Sequence, residues 1–210
     1  MQASLRDTRQ SMSRAPSLSP EERRASLLQS ARKVFAKHGY YGASVSLIVQ
    51  ETGVARGTFY NHFTSKRLIF AAVIDDLLEE VASVIEIIDV AQPIPPQALA
   101  NIRRVILAVT DPVVARLLFT EAAGIDEEGD QMLRDFYRAA TARIQTALER
   151  GQMIGIVRQG SVHLAAQCLL GMIKQPIFQA SLEGRQVDSD ALVQEVFAML
   201  SGGVLRVDAS

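Results

Sequence analysis

The sequence predicts an all-α chain of about nine helices, on three grounds. Apolar residues recur at the three-to-four-residue spacing that gathers them on one helical face. Ser, Asp or Pro precedes most of these stretches and Gly follows several of them, the usual helix start and stop signals. No alternation of apolar and polar residues runs long enough to argue for a strand.

Residues 1–18 are polar and carry Arg6, Arg9 and Arg14, which predicts a flexible basic arm. Ser19, Pro20 and Glu22 then open the first helix, with Ser19 as cap, Pro20 at the first helical position and Glu22 completing a capping box. Leu27, Ala31, Val34 and Phe35 mark its buried face, and Gly39 its end. Ser44 caps a short second helix with Val45, Ile48 and Val49 inward, and Gly53 stops it. A third short helix is expected over 55–62, anchored by Phe59 and Phe63. Thr64 or Ser65 starts a long fourth, whose apolar spacing continues from Ile69 to Ile88.

The run from Gln92 to Pro96 breaks the chain before a fifth helix marked by Leu99, Ile102, Val105, Ile106 and Val109. Asp111-Pro112 caps a sixth. An acidic loop is expected over 124–130 and a seventh helix over 131–150. Gly151, Gly155 and Gly160 bracket a loop, Ser161 starts an eighth helix, and Asp188 or Ser189 caps a ninth that Gly202-Gly203 stops. Pro176 lies inside the eighth helix, where its missing N–H should kink it.

Charge divides the chain unevenly. Residues 1–68 hold eleven Lys/Arg against four Asp/Glu, a net +7, whereas 69–210 carry a net −8. A basic head on an acidic body suggests a polyanionic partner for the head alone. Cys168 is the single cysteine, so no intrachain disulfide forms; within its apolar run it reads as a buried small hydrophobe. No apolar run reaches the length of a membrane span, and no secretory leader pattern opens the chain, which suits a cytoplasmic protein.

Two short helices joined at a glycine, behind a capped helix, form a helix-turn-helix pattern whose second short helix can enter a major groove. The stretch from Gly39 through Ser44-Val45 to Gly53-Val54, then Gly57-Thr58-Phe59-Tyr60, His62-Phe63 and Lys66, resembles the N-terminal domain of the TetR family of transcriptional regulators. The resemblance covers roughly residues 20–75. It implies a three-helix DNA-binding domain over 19–65 and a larger helical domain over 66–210 that binds a small effector and dimerises.

Chemistry fits each residue to such a role. Gly57 lets the recognition helix approach the DNA backbone. Thr58, Tyr60 and His62 offer hydrogen-bond donors, and Lys66 a cation, to phosphates. Asn61 suits an adenine edge, and Arg56 suits either a guanine edge or a phosphate. Ser44, Val45 and Ser46 lie beside them at the mouth of helix two. Ala55 departs from the Ser or Thr the family often has, so it cannot cap the recognition helix. Arg67 replaces an often acidic residue and gives up its help to the helix dipole.

Helix eight is apolar nearly all round, so it must be buried on more than one side, against its own core and against a second subunit. Helix nine is its expected companion. The effector site is sought among Arg116, Phe119, Phe136, Tyr137, Arg143, Met172, Lys174 and Phe178, with the Pro176 neighbourhood as one wall and Glu121 as a further polar anchor. No phosphate-binding glycine loop, dinucleotide fingerprint, zinc-protease motif or serine-nucleophile elbow occurs, so no enzyme, cofactor or metal is expected. The expected partners are double-stranded operator DNA, a small-molecule effector and a second copy of the chain, with no membrane.

Overall fold

The computed structural model describes residues 19–120 and 127–203. The arm expected over 1–18 and Glu121 fall outside the described residues. The elements are α1 (Pro20–Gly42), α2 (Val45–Thr52), α3 (Arg56–Tyr60), α4 (Lys66–Ser83), α5 (Ile94–Thr110), α6 (Pro112–Ala115) running into a π turn (Arg116–Thr120), α7 (Glu127–Met153), α8 (Val162–Leu182) and α9 (Ser189–Gly203). Among the described residues there is no strand, and the fold is all-α as the sequence predicts.

The caps explain the element boundaries. Ser19 accepts the Glu22 N–H at 3.1 Å while the Glu22 carboxylate takes the Ser19 N–H at 2.7 Å, closing the capping box. Ser44, Ser65 and Ser161 each accept an N–H three residues on, and Asp111 accepts two, from Val113 and Val114. Asp188 accepts the Ala191 N–H at 3.0 Å before α9. Gly39 turns the end of α1 with φ +70°, after which the chain completes one further helical turn to Gly42. Gly53 takes the left-handed conformation at φ +73° that ends α2.

Helix α4 stops at Ser83, five residues before the expected end. The apolar spacing continues, but the backbone finds better partners on α5. Asn101 accepts the Glu86 N–H and donates to the Glu86 carbonyl, both at 2.9 Å. Gln97 grips Asp89 in the same two-handed way, at 2.8 and 2.9 Å. Side-chain amides thereby take over bonds that a continued helix would have made. Ile87 is left 96% exposed. Helix α7 in turn starts at Glu127, inside the expected acidic loop, and α3 is shorter than expected.

One apolar core runs through the molecule. Leu27, Ala31 and Phe35 of α1, Ile48 of α2 and Phe59 of α3 meet Ile69, Phe70, Val73 and Leu77 of α4. The same cluster continues into Ile106, Leu117, Phe136, Leu170 and Val196 of the body. Helix α1 packs on α2 and α4, α4 on α5 and α7, α7 on α8, and α5 on α9. Helix α8 continues through Pro176 to Leu182. Cys168 is exposed, against the expectation of a buried thiol. It shares a strip of α8 with Leu164, 60% exposed, and Gly171, because four- and three-residue steps return to one helical face.

A second, smaller cluster of Leu148, Ile156, Val157 and Ala166 closes the α7–α8 turn. Its tight point is Gly151, which is buried and whose carbonyl accepts the N–H groups of Ile156 and Val157 at 3.0 and 3.1 Å. A Cβ there would stand 2.4 Å from Val157 Cγ2, and buried Val157 has nowhere to move. Gly151→Ala should therefore lower stability by about 1–3 kcal/mol, measured as a reduced urea midpoint at unchanged slope.

Candidate nucleic-acid interface and effector cavity

The head exposes the polar residues that the sequence singles out on α2 and α3. Ser44, Ser46, Arg56, Gly57, Tyr60 and Asn61 are exposed; Val45, Thr58 and His62 are half-buried. Beneath them, Phe59 and Phe63 are buried, with ring centroids 6.1 Å apart. The Arg24 guanidinium covers the Phe63 ring at 5.2 Å. Ala55 makes no side-chain cap, so α3 is held by its aromatic anchors and by backbone bonds such as Thr58 N–H to the Ala55 carbonyl at 2.9 Å. Arg56 lies along Tyr60, its Nη2 3.4 Å from the phenolic oxygen and its guanidinium carbon 5.8 Å from the ring centroid. A cation and a hydroxyl therefore stand side by side on the exposed face of the shortest helix of the head.

Lys66 is placed differently from the rest. The sequence offers it as a phosphate cation, but its Nζ donates to the carbonyls of Tyr40 at 2.8 Å and Ala43 at 3.2 Å. It also lies 4.2 Å from the centroid of the Tyr40 ring. Tyr40 belongs to the last turn of α1, Ala43 immediately precedes the Ser44 cap of α2, and Lys66 itself begins α4. One ammonium thus joins three helix ends. The ring and the two carbonyls replace its water, as burial of part of a charge requires.

The head is also clamped to α4 further along. Arg32 of α1 pairs with Glu80 of α4 at 2.7 Å. On the other side of α4, Arg143 of α7 binds Glu79 through Nε at 3.1 Å and Nη2 at 2.7 Å, and Asp75 through Nη2 at 3.1 Å. Helix α4 is therefore held by charge to the head and to the body at neighbouring positions, Glu80 one way and Glu79 the other.

The body holds a cavity of about 260 Å³. Leu78, Val81 and Ala82 of α4, Ile102 and Val105 of α5, Phe119 of the π turn, Phe136, Arg143 and Ile144 of α7, Leu169 and Ile173 of α8 and Val196 of α9 contribute to its wall. Of the expected effector residues, Phe119, Phe136 and Arg143 line it; Arg116, Tyr137, Met172, Lys174 and Phe178 do not. Lys174 instead bonds the Tyr137 hydroxyl and lies 4.7 and 5.7 Å from the Tyr137 and Phe178 ring centroids. The cavity wall takes in α4 and α5, which the expected effector residues did not include, and Tyr137 and Phe178 lie against Lys174. The α4 and α5 contributions carried no distinguishing signal, being ordinary apolar positions at helical spacing.

A capped three-helix head, a short exposed helix set on buried phenylalanines, and a helical body joined to it by one long helix define a helix-turn-helix DNA-binding regulator. Residues 27–73 match the family described as bacterial regulatory proteins, tetR family. Over most of its length the chain is similar to curated relatives. It is 28% identical over 193 residues to the uncharacterized HTH-type transcriptional regulator YdgC of Bacillus subtilis, covering 88% of this chain and 93% of that one. It is 27% identical over 207 residues to the HTH-type transcriptional repressor AcnR of Corynebacterium glutamicum, covering 94% of this chain and 100% of that one. Among solved structures, a complex of SmeT with triclosan shares the fold with a TM-score of 0.68 at 19% identity, covering 90% of this chain and 96% of that one. Among the described residues, no helix is long and apolar enough to cross a membrane.

The geometry at Lys66 separates two consequences of its removal. Lys66→Met strips two carbonyls of a charged partner and should cost about 1–3 kcal/mol of stability. Because two of the three ammonium N–H groups are held by the protein's own carbonyls, the slope of DNA affinity against salt should stay close to that of the wild type. Chemical denaturation and a salt titration of DNA binding measure the two.

Proposed function

We propose that the chain is a non-enzymatic, one-component repressor that binds operator DNA in the cytoplasm as a homodimer and leaves it when a small apolar or amphipathic molecule binds in the body. The observation that carries this reading is the pairing of an exposed α2–α3 surface with an apolar cavity whose wall includes α4, the helix that starts in the head. In this reading residues 19–65 contact DNA and residues 66–210 bind the effector and dimerise. The repressor role of AcnR and the triclosan complex of SmeT support it by analogy.

Within the head, Arg56 and Asn61 reach base edges, with Ser44, Val45 and Ser46 as their neighbours at the mouth of α2, while Thr58, Tyr60 and His62 meet the backbone. Gly57 has no atom within 4 Å of a would-be Cβ, so its lack of a side chain answers no need of the fold. It leaves room for a phosphate. Lys66 acts from behind, by holding the three helix ends in register.

Dimerisation uses α8 and α9. Leu164, Cys168 and Gly171 on α8, and Ala198 and Met199 on α9, are exposed in the single chain. A paired second copy would bury that strip, as the all-round apolar character of α8 requires. Sedimentation equilibrium should give a dimer, with Leu164→Glu shifting it to monomer; a wild-type monomer at micromolar concentration would overturn the dimer.

DNA binding is tested by selecting sites from a random pool and measuring retention in gels. Gly57→Ala should fold as well as the wild type, or better by up to about 1 kcal/mol, since alanine favours a helix, yet bind selected DNA more weakly. Arg56→Ala should cost about 1–3 kcal/mol and relax preference at one position of each half-site. A uniform loss with unchanged preference would assign Arg56 to phosphate instead. Enrichment of no DNA sequence by the wild type would overturn the repressor reading.

A further inference from the structure

Among the described residues that line the body cavity, Arg143 alone carries a charge. The cavity's other polar lining residue, Asn101, is committed to the Glu86 backbone and to Arg104. Everything else on the wall is apolar. Ile85 and Ala147 line the cavity and are both exposed, so it opens to solvent between the end of α4 and α7. Arg143 stands one turn before Ala147 on α7, beside that opening. A molecule entering tail first would leave its head at the guanidinium.

We infer that the cavity takes an amphipathic anion, an alkyl chain ending in a carboxylate, whose head takes Arg143 from Asp75 and Glu79. This inference rests on the proposed effector-controlled repressor and names the effector class and the release step. Four N–H groups of Arg143 are in use, three on the two carboxylates and one on the Ala139 carbonyl. The cluster already holds one cation and two anions, so a third anion replaces the others rather than joining them. Replacement is easy on their side: the side chains of Asp75 and Glu79 are 66% and 70% exposed and have water at hand, whereas Arg143 is 25% exposed. Once released, the α4 carboxylates face a new anion on α7 across the former contact, and attraction between α4 and α7 becomes repulsion.

The displacement acts on the helix that carries Lys66 and Glu80. Those residues hold the head through Tyr40, Ala43 and Arg32. A shift of α4 away from α7 is therefore passed to α1 and α2. By linkage, the anion weakens DNA binding by the same factor by which DNA weakens the anion. A neutral molecule of the same shape would fill the cavity without opening the clasp.

The test uses the full chain with sodium decanoate, decan-1-ol and decylammonium chloride, titrated by calorimetry and by their effect on DNA selected by the wild type. Decanoate should bind about tenfold tighter than decanol, as a charge-assisted bond to a partly buried guanidinium provides, and it alone should release DNA. Arg143→Met should bring decanoate down to the level of decanol while leaving decanol binding intact; Arg143→Lys, which keeps the charge, should retain most of the difference. The double variant Asp75→Asn, Glu79→Gln should bind decanoate more tightly than the wild type, because its competitors are neutral. Equal binding of the three probes, tighter binding of decylammonium, or no binding of any would overturn the inference while selected DNA still stands for the repressor. Failure to select DNA is the separate outcome that removes the repressor reading, and the calorimetry then judges the anion site alone.

Discussion

Helix α4 has to satisfy two cores at once. Ile69, Phe70, Val73, Ile74, Leu77 and Leu78 are all buried, and they meet α1 on one side and α5 and α7 on the other. Each such side chain contributes roughly 1.5–3 kcal/mol by leaving water. Neither the head nor the body can therefore shed α4, and motion of this helix relative to one is felt by the other. The polar contacts around it are weak by comparison, since exposed ion pairs contribute about 0–1 kcal/mol each. Strong apolar burial fixes where α4 lies, and weak charges at Glu79, Asp75 and Glu80 decide how firmly it is held at a given moment.

Much of this was legible in the sequence because it is local. Caps, left-handed glycines and the apolar faces of α1, α2 and α8 depend on residues a turn or two apart, and Ser19, Ser44, Asp111 and Ser161 act where their spacing placed them. The family resemblance rested on the same short-range pattern over the head. What failed was long-range. Helix α4 ends earlier than its apolar spacing implies because Asn101 and Gln97, on the next helix, bond the backbone of Glu86 and Asp89. The same limit hid the Arg143 clasp, whose partners are separated by 64 and 68 positions.

Lys66 shows how a residue of the motif can also serve the fold. Its place at the start of α4 invited a phosphate contact, since helix N-termini favour anions. Yet a lysine there adds a positive charge to the positive end of the helix dipole, which is unfavourable unless the charge finds anions or dipoles of its own. The carbonyls of Tyr40 and Ala43 and the face of the Tyr40 ring supply them. These groups stand in for part of the ammonium's water, and the amides at the start of α4 lie beside it.

The shortness of α3 follows from the same division of labour. A five-residue helix without a side-chain cap has almost no stability of its own, because nucleation costs more than so few bonds return. It persists because Phe59 and Phe63 are sunk in the head core and Gly53 sets the angle of entry. Its exposed side chains are thereby freed from structural duty: Arg56 leans on Tyr60 at 3.4 Å, a long and solvent-facing contact that costs little to break. Rigid anchors below and loosely held donors above let the helix present a fixed backbone and an adjustable set of polar groups. Changes in α4 reach that surface through the apolar core it shares with the head and through the half-buried Lys66 ammonium, which ties the start of α4 to the end of α1 and the start of α2.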